Sequence, residues 1–136
     1  MWHIYSRVLA CKNIDSIIIS TTTEPKDDVI EYFANEHGIP VFRGSEKDIW
    51  SRHLGAAKMA GADSLVRVCG DCPLIDPAVI DKGVSLFNET DTDFVSNRRP
   101  KTYPVGFEFE IYKVETLQKI VDMQDTYYSR YPFEYI

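Results

Sequence analysis

The chain has 136 residues, 44% of them hydrophobic and 26% charged, with a formal net charge of −6. This balance is that of one globular domain, and an acidic chain without a Lys/Arg run argues against binding to nucleic acid or to a membrane surface. No apolar stretch is long enough to span a bilayer, and the N-terminus lacks a signal-peptide pattern. Three cysteines in such a chain predict reduced thiols in the cytoplasm.

Helical and strand patterns alternate from the N-terminus onward. The chain opens on an amphipathic helical pattern, and three consecutive isoleucines at 17–19 predict a strand buried on both faces. A helix that starts at Pro25 and stops at Gly38 precedes the short strand of "IPVFRG". Ser45 and Asp48 have the spacing of a capping box and predict the next helix.

The alternation continues in the second half of the chain. "DSLVRVCG" predicts a strand, and Asp76 followed by Pro77 predicts an N-cap and the first turn of a helix. The short strand of "DTDFVSN" follows. Alternating apolar and acidic residues predict a half-buried, antiparallel strand near residues 106–113. The fold class is therefore α/β, a mostly parallel, doubly wound sheet with one antiparallel strand, in a single domain of residues 1–136.

The segment "RVCGDCPLIDP" allows two kinds of chemistry. Cys69 and Cys72 have redox or zinc-ligand spacing, but they follow a strand, and no second pair completes a tetrahedral zinc site. The alternative is Asp71, which comes just after the end of the same strand. In a parallel sheet, ligands bind at the carboxyl ends of the strands, and the Asp71 carboxylate offers an oxygen ligand for Mg²⁺ there. A turn-capping role for Asp71 is equally compatible with the spacing.

Two other segments offer groups for an anionic ligand. Arg43, Gly44 and Ser45 lie at a strand-to-helix junction, where amides and a guanidinium suit an anion, although an ordinary turn also fits. The loop after the strand of "DTDFVSN" concentrates amide and basic side chains in an otherwise acidic chain, and it favours a phosphate- or carboxylate-bearing substrate. These side chains are Asn97, Arg98, Arg99 and Lys101.

Three stretches together, "VFRGSEKDI", "ADSLVRVCGDCPLIDPAVID" and "DFVSNRRPKTYPVGFEFEIY", resemble the cytidylyltransferases of bacterial surface polysaccharide synthesis. The resemblance is to the spore coat polysaccharide type, which is related to the CMP-Kdo and acylneuraminate synthetases. It implies a fold of the nucleotide-diphospho-sugar transferase type. It also implies the transfer of CMP from CTP to a sugar acid, a nonulosonate or a Kdo-like sugar, with release of pyrophosphate.

The same resemblance assigns roles to individual residues. Asp71 falls on the metal-ligand aspartate, so it is the implied catalytic group and the implied ligand of a Mg²⁺ cofactor. The segment from Arg43 to Ser45, which includes Gly44, matches a stretch that lines the nucleotide. The implied sugar contacts are Asn97, Arg98, Lys101 and Glu108, the last of these standing where relatives usually carry aspartate.

The resemblance is incomplete at both ends of the chain. The family's N-terminal strand and glycine-rich phosphate loop have no counterpart, and neither does a second metal-binding aspartate. We therefore expect an incomplete domain with little or no turnover of its own. The strand near residues 106–113 and the aromatic C-terminal segment are candidates for a homodimer interface.

Two alternative functions stay open. A nucleotide-sugar glycosyltransferase of related fold would carry an Asp-x-Asp pair after a strand, whereas Asp91-Thr92-Asp93 precedes its strand. A degenerate, non-catalytic nucleotide- or sugar-binding subunit would keep the sheet without the phosphate loop.

Overall fold

The computed structural model of the protein describes residues 1–98 and 100–123. Backbone contacts divide these residues into two units, each described by itself. The first unit comprises Met1–Ile17 and Ser64–Lys113, and the second comprises Ile18–Asp63 with the described residues from Val114 onward. The aromatic C-terminal segment that we name as a dimer candidate lies outside the described residues. In the described part of the chain, no helix has the length and apolar character needed to cross a membrane.

The predicted alternation of helices and strands is confirmed, and so is the α/β class. In chain order the elements are α1 (Trp2–Leu9), β1 (Ile19–Thr22), a 3-10 turn (Pro25–Asp27), α2 (Asp28–Glu36), β2 (Val41–Gly44), α3 (Ile49–Ala60), β3 (Ser64–Val68), α4 (Pro77–Glu89), β4 (Phe94–Ser96), β5 (Phe109–Lys113) and α5 (Val114–Asp122).

The second unit contains a parallel β-α-β arrangement. β1 and β2 pair in parallel, from Ile19 opposite Val41 to Thr22 opposite Gly44. β1 therefore begins at the last of the three isoleucines rather than at the first. At the other end of the strand, the carboxylate of Asp27 accepts hydrogen bonds from the hydroxyls of Thr21 and Thr22.

The first unit is built on an antiparallel sheet with strand order β3-β5-β4. β5 pairs with β3 from Ser64 opposite Lys113 to Val68 opposite Phe109, and β4 pairs along its other edge. One face of the sheet packs on α4 and carries the core of this unit. The core side chains are Ile75, Ile80, Val84, Phe87, Phe109 and Ile111, with Ile4 and Val8 of α1 packed against them.

The antiparallel strand near residues 106–113 is confirmed, but its predicted half-exposure is wrong. Residues 109–112 are all buried, including Glu110, and β5 is the central strand with neighbours along both edges. A strand paired on both edges has no open edge to offer for strand pairing in a homodimer.

The starts of two helices test the capping predictions. α4 begins as predicted, since the Asp76 carboxylate accepts a hydrogen bond from the Ala78 amide at 2.8 Å and Pro77 occupies the first turn. α3 begins three residues later than a cap at Ser45 requires, because Asp48 is its N-cap and accepts from the Ser51 amide at 3.0 Å. The hydroxyl of Ser45 instead accepts from the Asp48 amide.

Gly83 is expected to be essential for the packing of α4 on the sheet. A Cβ at this position would lie 2.3 Å from Cζ of the buried Phe109 ring. We predict that Gly83→Ala lowers the free energy of unfolding by about 1–3 kcal/mol despite the higher helix propensity of alanine. Urea denaturation followed by circular dichroism measures this change. Lys82→Ala, at an exposed neighbouring position, is the control and should stay within about 0.5 kcal/mol of the parent chain; equal stability of both variants would refute the clash.

Candidate functional site

The loop between β3 and α4 is held by two consecutive tight turns. The Cys72 amide donates to the Cys69 carbonyl at 3.1 Å, and the Ile75 amide donates to the Cys72 carbonyl at 3.2 Å. Ile75 is fully buried, and its carbonyl accepts from the Arg7 guanidinium at 3.3 Å. These contacts anchor the far end of the loop and leave Asp71 exposed within the first turn.

The Asp71 carboxylate is not used to cap the turn. Its hydrogen-bond partner among the described residues is the Cys72 thiol, with Sγ 3.7 Å from Oδ1. The same sulfur lies 3.8 Å from Oε2 of Glu108, the residue just before β5. The end of β3 and the start of β5 are neighbours in the antiparallel pair, so the two carboxylates meet at one thiol.

Cys72 has the properties of a packed side chain rather than of a reactive thiol. Burial raises the pKa of the Cys72 thiol to about 11, and electrostatic interactions with Cys69, Asp71 and Glu108 act in the same direction. A nucleophilic or redox cysteine needs the thiolate at neutral pH, which requires a lowered pKa. Cys69 and Cys72 are not joined in a disulfide. Within residues 1–98 and 100–123, no group of three or more His, Cys, Asp or Glu side chains is arranged to hold a metal ion.

Asn97 closes the loop that joins β4 to β5. Its side-chain amide donates to the Phe107 carbonyl at 2.7 Å, and its Oδ1 accepts from the Phe109 amide at 3.0 Å. Asn97 is buried, and both polar atoms of its side chain are engaged by the base of the loop. Its position therefore fixes the shape of the loop.

The charged residues of this loop lie around Glu108. The backbone N–H of Gly106 donates to the Glu108 carboxylate at 2.6 Å and lowers the pKa of that carboxyl, with further lowering by the charges of Lys101 and Arg98. Gly106 has φ +96°, a backbone conformation that a residue with a Cβ rarely adopts. The structure thus brings three of the predicted sugar contacts together, beside the turn that carries Asp71. Arg99 lies outside the described residues.

Arg98 is anchored on a buried carboxylate that our sequence reasoning missed. Its Nη1 lies 3.2 Å from Oε1 of Glu110, and Oε2 of the same carboxylate lies 2.5 Å from Nη1 of Arg67. The missed signal was an acidic residue in β5 opposite an arginine in β3. It could be recognised only once the pairing of the two strands was known.

Arg43 belongs to the second unit and holds the turn between β1 and α2. Its Nε donates to the Thr22 carbonyl at 2.8 Å and its Nη2 to the Glu24 carbonyl at 3.0 Å. Ion pairs to Asp28 at 2.7 Å and to Glu31 at 2.6 Å complete the set. These contacts account for most of the N–H groups of the guanidinium, so its observed role is to fix the turn.

Gly44 and Ser45 follow Arg43 at the end of β2. A Cβ on Gly44 would lie 3.1 Å from both the Arg52 and the Phe42 side chains, so this position has little room for a larger residue. Ser45 is exposed and contacts the start of α3 through its hydroxyl. The segment is therefore an ordered junction between a strand and a helix.

The carboxylates of the Asp-x-Asp sequence before β4 form ion pairs with a lysine of β5. The Nζ of Lys113 on β5 lies 3.2 Å from Oδ1 of Asp91 and 3.0 Å from Oδ1 of Asp93. Both carboxylates precede β4 and join the first unit's sheet at its edge, which counts against a glycosyltransferase metal motif here.

The raised pKa of Cys72 predicts slow alkylation of the folded chain. Because the pKa is about 11, we expect the rate of iodoacetamide labelling at Cys72 to rise about tenfold per unit between about pH 8 and pH 10. Labelling of the unfolded chain should be much faster at the lower pH. Peptide mass spectrometry measures both rates, and a rate for Cys72 that levels off near neutral pH would reveal an activated thiol instead.

Three curated proteins are similar to this chain over part of their length. It is 36% identical over 113 residues to the uncharacterized protein MJ1063 of Methanocaldococcus jannaschii, covering 83% of the chain and 45% of that protein. It is 28% identical over 83 residues to the spore coat polysaccharide biosynthesis protein SpsF of Bacillus subtilis, covering 61% and 35%. It is 29% identical over 96 residues to an 8-amino-3,8-dideoxy-manno-octulosonate cytidylyltransferase of Shewanella amazonensis, covering 68% and 38%. The chain thus spans less than half the length of these relatives.

Solved structures share the fold. A cytidylyltransferase from Leptospira borgpetersenii superposes with a TM-score of 0.86 at 34% identity, over 93% of this chain and 55% of that one. A CMP:2-keto-3-deoxy-manno-octonic acid synthetase complexed with CTP gives a TM-score of 0.68 at 14% identity, over 91% and 67%. The second likeness shows the fold alone.

The sequence model of the family described as cytidylyltransferase matches residues 1–136. This match agrees with the motifs around Asp71 and with the superposition on the Leptospira enzyme. The chain belongs to the cytidylyltransferase family.

Proposed function

We propose that this protein takes part in the transfer of CMP from CTP to a sugar acid, with release of pyrophosphate, for a cell-surface polysaccharide such as that of a spore coat. The observation that carries the proposal is the exposed carboxylate of Asp71 at the end of β3, beside the loop that carries Arg98 and Lys101. Two relatives support it, since one is named for cytidylyl transfer to an octulosonate and the other for spore coat polysaccharide synthesis. The unpaired cysteines fit the reducing cytoplasm, where we place the reaction.

Asp71 is the residue that would hold a magnesium ion. Its carboxylate is exposed and accepts no backbone hydrogen bond from the described residues, and the adjacent Cys72 thiol stays neutral. Mg²⁺ is commonly bound in nucleotide sites by one or two carboxylates, with substrate phosphates and water completing its coordination. When bound, the ion neutralises charge on the phosphate oxygens during nucleotidyl transfer. The oxygen donor of Asp71 therefore fits the ion.

The loop between β4 and β5 provides complementary groups for a sugar acid. Arg98 and Lys101 offer cationic donors for its carboxylate, and arginine suits this group through paired N–H donors. Glu108, whose pKa is lowered, stays ionised at neutral pH and can accept hydrogen bonds from sugar hydroxyls. Asn97 contributes by closing the loop, because its own amide is engaged there.

For the nucleotide we propose the junction of Gly44 and Ser45. Arg43 keeps this segment in place through its contacts with the turn between β1 and α2. Contact with the nucleotide then falls to the exposed Ser45 and to the backbone beside it, near the start of α3. Backbone N–H groups at such a junction are suited to anionic groups.

The proposal predicts that Asp71→Asn removes Mg²⁺-dependent CTP binding. We expect the affinity of the chain for Mg-CTP to fall at least about tenfold, since a metal ligand is lost. Amide chemical-shift changes in a titration with CTP, with and without Mg²⁺, measure weak binding directly. Asp76→Asn is the matched control, because asparagine also caps helices well and the same charge is removed five residues away.

Four outcomes separate the alternatives. Loss of the Mg²⁺ effect in the Asp71 variant but not in the Asp76 variant supports the proposal, and an equal response of both variants contradicts the role of Asp71. If the parent chain binds CTP and a sugar acid, but no pyrophosphate is released even from the chain extended at both ends, the non-catalytic subunit is favoured. If neither the parent chain nor the extended chain binds CTP or a sugar acid, the proposed function itself is contradicted.

A further inference from the structure

Glu110 is a buried carboxylate in the middle of the central strand of the first unit. Across β5 it is paired with Arg67 of β3 on one side and with Ser96 of β4 on the other. Its side chain is only 4% exposed. A carboxylate in such a place requires a charged partner, because removing an ion from water is costly.

The two arginines that contact Glu110 differ in their surroundings. The Arg67 side chain is 16% exposed and binds one carboxylate oxygen at 2.5 Å, so it neutralises the charge within the sheet. The Arg98 side chain is 46% exposed and contacts the other oxygen at 3.2 Å. The second contact is more than charge balance requires, since one arginine already compensates one carboxylate. The second contact therefore serves to hold the guanidinium of Arg98, whose side chain is half exposed.

The backbone of Arg98 is also held by a contact with the sheet. Its N–H donates to the Ser96 hydroxyl at 3.1 Å, and that hydroxyl donates to the Phe109 carbonyl at 3.3 Å. Both ends of the residue, the amide and the guanidinium, are therefore tied to the sheet. Within the described part of the chain, the guanidinium has no hydrogen bond other than the one through Nη1, so its remaining N–H groups are available to a ligand.

We propose that Glu110 is a positioning residue, which orders the Arg98 guanidinium so that its remaining donors meet the carboxylate of the sugar acid. The identity of this anion rests on the proposed function; the ordering of Arg98 does not. A side chain that is ordered before binding loses less conformational freedom on binding, and this preorganisation increases affinity. The residue acts through Arg98 and does not itself touch the substrate.

The binding test uses N-acetylneuraminate and its methyl ester, which differ in the charge of the carboxyl group. Glu110→Gln retains the shape of the side chain but not its charge, so it cannot serve both arginines. We expect it to weaken binding of the acid by about three- to tenfold, because Arg98 must then be ordered on binding, and to leave the ester unaffected. Lys113→Gln, which removes the ion pairs of the same strand with Asp91 and Asp93, is the matched control and should change neither affinity. Equal weakening of acid and ester would mean a merely structural effect and would overturn the proposal.

Nitrogen-15 spectra of the arginine side chains test the ordering without any substrate. Slow rotation about the Cζ–Nη bonds of Arg98 is expected in the parent chain and in Lys113→Gln, and fast rotation in Glu110→Gln. Fast rotation in the parent chain would overturn the proposal even if the Glu110 variant did not fold. If N-acetylneuraminate and Kdo both fail to bind the parent chain, the proposed function fails, and these spectra alone decide whether Glu110 orders Arg98.

Discussion

The pairing of β5 between β3 and β4 is the interaction on which the first unit depends. The antiparallel register sets Val68 opposite Phe109, so the turn after β3 and the loop before β5 emerge at the same end of the sheet. Asp71 and Glu108 consequently meet at the Cys72 thiol. The same pairing encloses Glu110 between two neighbouring strands, where Arg67 balances its charge and Arg98 contacts its other carboxylate oxygen.

The loop between β4 and β5 carries positive charge although the chain as a whole is acidic. The protein is acidic, with a net charge of −6, yet Arg98 and Lys101 lie close enough to Glu108 to lower its pKa. An acidic chain with cationic side chains gathered in this loop suits a small anionic substrate better than it suits a polyanion. In the second unit Arg43 shows the opposite use of arginine, since its ion pairs are with the protein's own Asp28 and Glu31.

The features that could be predicted from the sequence are those determined by neighbours in the chain. The Asp76 cap, the proline after it and the alternation of helices and strands depend on local geometry, and the structure reproduces them. The burial of Glu110 and the partners of Arg98 depend on which strands pair, and this pairing could not be predicted from the composition. The start of α3 shows an intermediate case, because Ser45 and Asp48 can each cap a helix and the two positions compete. The candidate site residues were predicted from family motifs, whereas the contacts that order them depend on how the strands pair.

The proposed function requires a metal-bound nucleotide at the end of β3, beside the loop between β4 and β5. Mn²⁺ is a paramagnetic substitute for Mg²⁺ at oxygen ligands, and it broadens the amide signals of nearby residues. The direct measurement is a titration of the chain with Mn²⁺ in the presence of CTP, followed by amide spectra. We expect broadening first at the turn around Asp71 and at Glu108. Broadening confined to other carboxylates, such as Asp91 and Asp93, with the Asp71 turn unaffected, would contradict it.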